Sequence, residues 1–154
     1  MKAVVQRVSQ ATVSVGGRAV GAIDHGLVVL LGIGHGDGEA EAQWMANKIT
    51  HLRIFEDDQG KFNRSLLDVG GHVLLISQFT LYGDAHKGRR PSFTGAALPH
   101  VAEPLVARVS ELLIQGGVPV ACGEFQAHML VEIHNDGPVT IILERESVRP
   151  ALEL

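Results

Sequence analysis

The run LLISQFTLYGD, residues 74–84, begins like a strand buried on both faces and then carries Ser77, Gln78, Phe79 and Thr80. Side chains that donate and accept hydrogen bonds stand where apolar ones would stabilise most. On an extended strand Val73, Leu75, Ser77, Phe79 and Leu81 share one face, and Leu74, Ile76, Gln78 and Thr80 the other. Polar groups therefore emerge on both faces near the end, as they do where a strand opens into a site. The plainer reading is that Ser77 and Thr80 bond to neighbouring backbone. Thr80 acts as a nucleophile only with a base beside it, which the sequence does not reveal.

A second candidate is NDGPVT, residues 135–140. A peptide bond before proline costs only about 0.5–1 kcal/mol to be cis, so Gly137-Pro138 is the one place in this turn where that isomer is accessible. A glycine there also frees the backbone to present its carbonyls to a ligand. An ordinary hairpin is the alternative. The third is HKGRRPSF, with Lys87, Arg89 and Arg90 close behind the polar run. It reads as a solvated basic loop or as a local patch for nucleic acid. A net charge of −4 argues against holding long nucleic acid such as DNA by bulk electrostatics, which needs many cations to displace counterions.

Other chemistries fail on spacing. LGIGHGDGEA offers strand, glycines and helix, but Gly32, Gly34, Gly36 and Gly38 alternate, and Asp37 stands where the dinucleotide fingerprint needs its third glycine. An acidic side chain there repels a pyrophosphate, and no phosphate-cradling lysine motif exists. The eight histidines are scattered. Glu132 and His134 share a strand face, yet no paired metal-ligand spacing accompanies them. No G-x-S-x-G elbow is present, and Cys122 lacks the surroundings of a nucleophile. The expectation is an activity without metal or cofactor.

The elements that must position these residues follow from periodicity. The chain of 154 residues, 45% hydrophobic, suits a single domain over 1–154 with a buried core. AVVQRVS and ATVSVGGRAVGAI alternate as strands, with Gly16-Gly17 a two-residue hairpin turn. LVVLLGI suits a central strand covered on both faces. Residues 39–52 show helical spacing, with Asp37 in a capping position. FEDDQGKF is a turn between short strands, and HVLLISQFTL a strand. Residues 98–117 form a second helix that starts or kinks near Pro104. EFQAHMLVEIH and VTIILE are two strands joined by NDGP. Residues 145–154 read as a loosely ordered extension. No apolar run approaches the roughly 20 residues of a membrane-spanning helix. No secretory signal is seen, and the lone Cys122 cannot form an internal disulfide. Both point to the cytoplasm.

SQFTLYGD and NDGPVT, in this order, resemble the two signature motifs of the D-aminoacyl-tRNA deacylases, also called D-tyrosyl-tRNA deacylases. The likeness runs from MKAVVQRV through GRRPSF to VTIILE, nearly the whole chain. It implies an α+β fold with a predominantly antiparallel, strongly curved or barrel-like sheet and two main helices. It also implies a homodimer that hydrolyses the ester joining a D-amino acid to the terminal ribose of tRNA. Such an ester is already activated, so a positioned water and oxyanion stabilisation can suffice without a protein nucleophile. By resemblance Ser77, Gln78, Phe79 and Thr80 form the catalytic motif, with backbone N–H groups around Gln78 and Phe79 as donors and the substrate 2′-hydroxyl assisting the water. Gly137 and Pro138 form a cis pair entering the partner subunit's site, where their carbonyls crowd out an L side chain. Glycine, with no side chain, is not excluded by such a filter. Arg7 matches a support for the turn, Ala97 a small residue of the adenosine pocket, and Val139 and Thr140 the rest of the second motif. Lys87, Arg89 and Arg90 are the candidate tRNA contacts. Two rival readings stand beside this one: an RNA-binding module without catalysis, and a small-ester hydrolase using Thr80 as nucleophile.

Overall fold

The computed structural model describes residues 1–147. The expected extension at 145–154 therefore falls mostly outside the described residues. Strand β1 (Lys2–Val15) organises the sheet. Its first half pairs antiparallel with β3 (Gly26–Gly32), from Lys2↔Gly32 to Val8↔Gly26. Its second half pairs with β2 (Arg18–Ile23), from Ala11↔Ile23 to Val15↔Arg18. The turn between β1 and β2 is Gly16-Gly17, with φ of 57° and 79°, as its sequence predicts. The two strands expected before this turn are one continuous strand.

Helix α1 (Glu39–His51) follows β3, and the short hairpin β4 (Phe55–Glu56) and β5 (Phe62–Arg64) follows α1. Its N-cap is Gly38, not Asp37: the Gly38 N–H donates to the Glu41 carboxylate at 2.9 Å. Asp37 is turned to another purpose, accepting from the Met1 α-amino group at 2.9 Å and the Gly34 N–H at 2.7 Å. A short α2 (Leu66–Val69), capped by Ser65, leads into β6 (His72–Ser77). Strand β6 lies parallel to β3, ending at the pair Leu31↔Ser77, and β7 (Val120–Cys122) lies parallel to β6. The sheet order is β2-β1-β3-β6-β7, with β8 (Leu130–Glu144) along the other edge of β1. A side chain at Gly21 of β2 would come within 2.8 Å of the Cys122 carbonyl, so β2 curls back onto β7 and the sheet nearly closes into a barrel.

Two apolar clusters result. Val8, Val13, Val28, Leu74 and Ile76 fill the inside of the curl. Val5, Leu31, Val73 and Leu75, from the opposite faces of the same strands, pack under α1 and α3 (Pro99–Gln115) against Met45, Ile49, Val109 and Leu113. Each fully buried side chain of this size contributes roughly 1.5–3 kcal/mol. Arg108 of α3 ties the helices together by a fork to Glu39 at 2.8–3.0 Å. Pro104 neither starts nor ends α3, which begins five residues earlier with Pro99 in its first turn and runs on to Gln115. Its cost is confined to the carbonyl of His100, one turn back, which loses its N–H donor. No described helix is long and apolar enough to cross a membrane.

Two departures from the sequence pattern shape the site. The strand expected over HVLLISQFTL stops at Ser77, and residues Phe79–Tyr82 wind into a 3-10 turn. It stops because its partner stops: β3 ends at Gly32, and the last bond between them is Gln78 N–H to Leu31 O at 2.7 Å. The second concerns NDGPVT. It is no hairpin between two strands, because both sides of it pair with β1 in one direction. Thr140 faces Gln6 and Asn135 faces Val8, so residues 136–139 are extruded opposite Arg7 as a wide bulge in β8.

Candidate active site

The 3-10 turn after β6 forms one end of a cavity of about 660 Å³. Its wall continues through Ala96–Pro99 at the start of α3 and through the 125–129 loop before β8. Ser77, Gln78, Phe79 and Ala97 all line it. The turn is fixed from below by Tyr82. A side chain at Gly34 would lie 2.5–2.8 Å from the Tyr82 ring, and one at Gly32 would lie 3.2 Å from it. Gly32 and Gly34 of LGIGHGDG thus make room for a tyrosine rather than a pyrophosphate. Burial, reinforced by the negative charges of Asp37, Glu144 and Glu146, pushes the Tyr82 phenol well above its ordinary pKa, so it stays neutral.

Within the turn the Gln78 N–H is engaged by Leu31 O. The Phe79 and Thr80 N–H groups have no partner among the described residues. Thr80 is exposed, and its hydroxyl oxygen accepts from the Gln78 amide, with no imidazole or carboxylate bonded to it. Such a constellation can polarise a carbonyl through backbone donors, but it does not activate a hydroxyl. Among the described residues no three His, Cys, Asp or Glu side chains converge to hold a metal ion.

The bulge in β8 is braced from within and from without. Asn135 accepts from the Val139 N–H at 3.0 Å through its amide oxygen and donates to Thr140 Oγ1 at 3.1 Å, while Gln6 donates to the same hydroxyl at 3.2 Å. Arg7, only 7% exposed, donates from Nε to Asp136 O at 3.0 Å and from Nη1 to Ile54 O at 2.9 Å. Its guanidinium lies 5.5 Å from the Phe62 ring centroid and 3.8 Å from Glu56. The Gly137-Pro138 bond is cis and both residues are exposed, whereas Val139 is buried. Gly137 takes a φ of 139°, and a side chain on it would lie 2.9 Å from Val139 N. Neither Gly137 nor Pro138 lines the cavity of its own chain.

The sequence pattern of the D-Tyr-tRNA(Tyr) deacylase family matches residues 4–144. The chain belongs to that family. It is 62% identical over 144 residues to the D-aminoacyl-tRNA deacylase of Heliobacterium modesticaldum, a match that covers 94% of this chain and 96% of that one. The D-aminoacyl-tRNA deacylase of Thermus aquaticus is 58% identical, covering 94% and 95%. Among solved structures, a c-Myc DNA Unwinding Element Binding Protein superposes with a TM-score of 0.90 at 44% identity, covering 95% of this chain and 99% of that one. A probable eukaryotic D-amino acid tRNA deacylase shares the fold at a TM-score of 0.74 and 17% identity, covering 92% and 97%.

The two segments singled out in the sequence lie in different places of this chain. Ser77, Gln78, Phe79 and Ala97 meet at the cavity, while Arg7, Gly137, Pro138, Val139 and Thr140 meet at the bulge. Lys87, Arg89 and Arg90 are exposed on a loop closed by Asp84 and Ser92, whose backbones exchange bonds at 2.7 and 2.8 Å. The His86 N–H and then its ring hold the Asp84 carboxyl below the usual carboxylate range. Sequence reasoning missed the 125–129 wall, including Gln126 at a φ of 62°, because it reads there as the start of a strand. It also passed over Asn135 as a bulge brace and Phe93, whose ring lies edge to face with Phe79 at 5.2 Å.

Proposed function

We propose that this protein hydrolyses the ester bond of D-aminoacyl-tRNA, releasing the D-amino acid and tRNA, as a homodimer whose subunits complete each other's sites. The observation that carries this reading is the separation just described: a clamped bulge of exposed backbone that does not reach its own cavity. The bulge serves the cavity of a second copy. There the Gly137 and Pro138 carbonyls occupy the space an L side chain needs and leave a D side chain free. Because backbone does the rejecting, the filter is indifferent to side-chain identity, and glycyl-tRNA is hydrolysed as well. The cavity takes the terminal adenosine beside Ala97. Attack is by water, with the oxyanion received by the Phe79 and Thr80 N–H groups, and with the substrate 2′-hydroxyl assisting. Lys87, Arg89 and Arg90 meet the RNA backbone.

The outer surface of β8 supports the second copy. Ile142 is 74% exposed and Leu130 65%, and among the described residues β8 has a neighbour on one edge only. An apolar strand left open in this way is a surface that a two-fold partner covers. The activity places the protein with the translation machinery in the cytoplasm. Incubation with matched D- and L-aminoacyl-tRNA tests the reading: the D ester is cleaved and the L ester is spared. Equal cleavage of both, or of neither, overturns it. Sedimentation showing a fully active monomer at assay concentration overturns the shared site.

A further inference from the structure

The cavity mouth carries a feature that hydrolysis at the terminal adenosine does not use. Phe79 is 58% exposed and Phe93 37%, their rings at 71° and 5.2 Å. Large aromatic side chains left in solvent beside a site call for an occupant. Phe93 is held rather than loose. The Asp84–Ser92 bridge precedes it, the Gly34–Ala96 bridge follows it, and its ring edge lies 3.1 Å from where a side chain on Gly83 would begin. The Asp84–Ser92 bridge is also the base of the loop that presents Lys87, Arg89 and Arg90. A fixed aromatic pair and a loop of exposed cations are therefore joined through one short bridge, with Phe93 directly after it in the chain.

We propose that Phe79 and Phe93 form a stacking platform for the nucleotide that precedes the terminal adenosine, with Lys87, Arg89 and Arg90 neutralising the phosphates of that unpaired strand. The inference rests on the deacylase reading and extends it: the substrate is an RNA 3′ end at least two nucleotides long. Aromatic rings with interleaved cations bind single strands because every base has a π face and every linkage a charge. Stacking of this kind ignores base identity, as an enzyme serving many tRNAs through their common end requires. Charge complementarity favours the strand over an apolar protein partner, since the loop gathers three of the thirteen Lys and Arg of a chain whose net charge is −4.

The test compares a D-aminoacyl ester of adenosine with the same ester of the dinucleotide cytidylyl-adenosine, and in parallel the binding of uncharged adenosine and uncharged dinucleotide by calorimetry. Wild type gains about 5- to 100-fold in kcat/KM and in affinity from the added nucleotide. Phe93→Leu, which keeps apolar bulk and loses the ring, cuts that gain to under about twofold, and Phe93→Trp restores it. Arg89→Gln with Arg90→Gln flattens the salt dependence of dinucleotide binding, by roughly 0.7 at most because the dinucleotide carries one phosphate. Equal kcat/KM for the two esters in wild type, or an undiminished gain in Phe93→Leu, overturns the platform and leaves the deacylase reading standing. Hydrolysis of neither ester, with a Phe93-dependent gain in binding, overturns the deacylase reading and supports the platform.

Discussion

Arg7 is the side chain on which the bulge most depends, and its removal can be worked through. Arg7→Met keeps a long apolar stem and deletes two charge-assisted bonds, to Ile54 O and to Asp136 O. Such a bond contributes roughly 1.5–3 kcal/mol. Ile54 is buried, so its carbonyl loses the full amount, whereas Asp136 is exposed and water replaces about half. The Glu56 contact at 3.8 Å adds little on a half-exposed carboxylate. The sum is a loss of about 2–4 kcal/mol, or a fall in the urea midpoint of about 1–2 M at an m-value near 2 kcal/mol per M. Arg7→Lys retains one bond at most and lies between. Because one of the two bonds holds the bulge itself, folded Arg7→Met at low temperature also loses selectivity: each 1.4 kcal/mol of filter placement is tenfold in the ratio of D to L cleavage. Urea unfolding and the D/L rate ratio are measured on the same preparations. If Arg7→Met unfolds within about 0.5 kcal/mol of wild type, the bonds are not what holds the bulge. If stability falls as expected but the D/L ratio does not, Arg7 supports the fold and does not position the filter.

Thr80→Ala reduces deacylation by roughly tenfold at most, the value of one hydrogen bond; a loss on the order of 10⁶-fold in a folded variant would establish a nucleophile instead. Gly137→Ala sets a side chain 2.7 Å from Val139 Cγ2 and 2.9 Å from Val139 N at a φ of 139°, so it costs about 1–3 kcal/mol and weakens L rejection. Unchanged melting and an unchanged D/L ratio together would contradict that account. Gln126→Gly relieves a left-handed backbone and raises Tm by roughly 1–4 °C, since the strain relieved exceeds the glycine entropy by about 0.5–1 kcal/mol. A lower Tm by calorimetry would show that the Gln126 side chain contributes more than its backbone strain.

The parts of the fold that local chemistry dictates were legible. Gly16-Gly17 reads as a tight turn between alternating strands, the helical spacing of Ala40, Trp44, Ile49 and Leu52 marks α1, and Gly116-Gly117 marks the end of α3. The parts decided by a partner strand were not. The polar groups on both faces of SQFT hint at a strand's end, but nothing in the run announces that β3 ends at Gly32 and leaves Gln78 the last residue to be bonded. Asn, Asp, Gly and Pro look the same whether the chain reverses or is pushed outward. Only the register against β1, Thr140 on Gln6 and Asn135 on Val8, separates a bulge from a hairpin. Gly32 and Gly34 of LGIGHGDG were unexplained for a related reason: Tyr82, against which they pack, lies nearly fifty residues on. The wall at 125–129 reads as the start of a strand, but β8 begins only at Leu130, so the pattern places Phe125 and Met129 in the wrong element.

The same register bears on the proposal that a second copy completes the site. Strand β1 gives its edge to β8, and the residues extruded from β8 face Arg7 on that edge rather than the cavity beyond β6. For the bulge to serve its own cavity it would have to leave Arg7 and Asn135, the side chains that define its shape. A second copy removes the conflict, since the bulge then keeps its clamps and presents its carbonyls outward from the open side of β8. Under the proposed reading the rigidity of the filter and the need for a partner have one origin: the bonds of Arg7 and Asn135 that fix the bulge also hold Gly137 and Pro138 away from the cavity of their own chain.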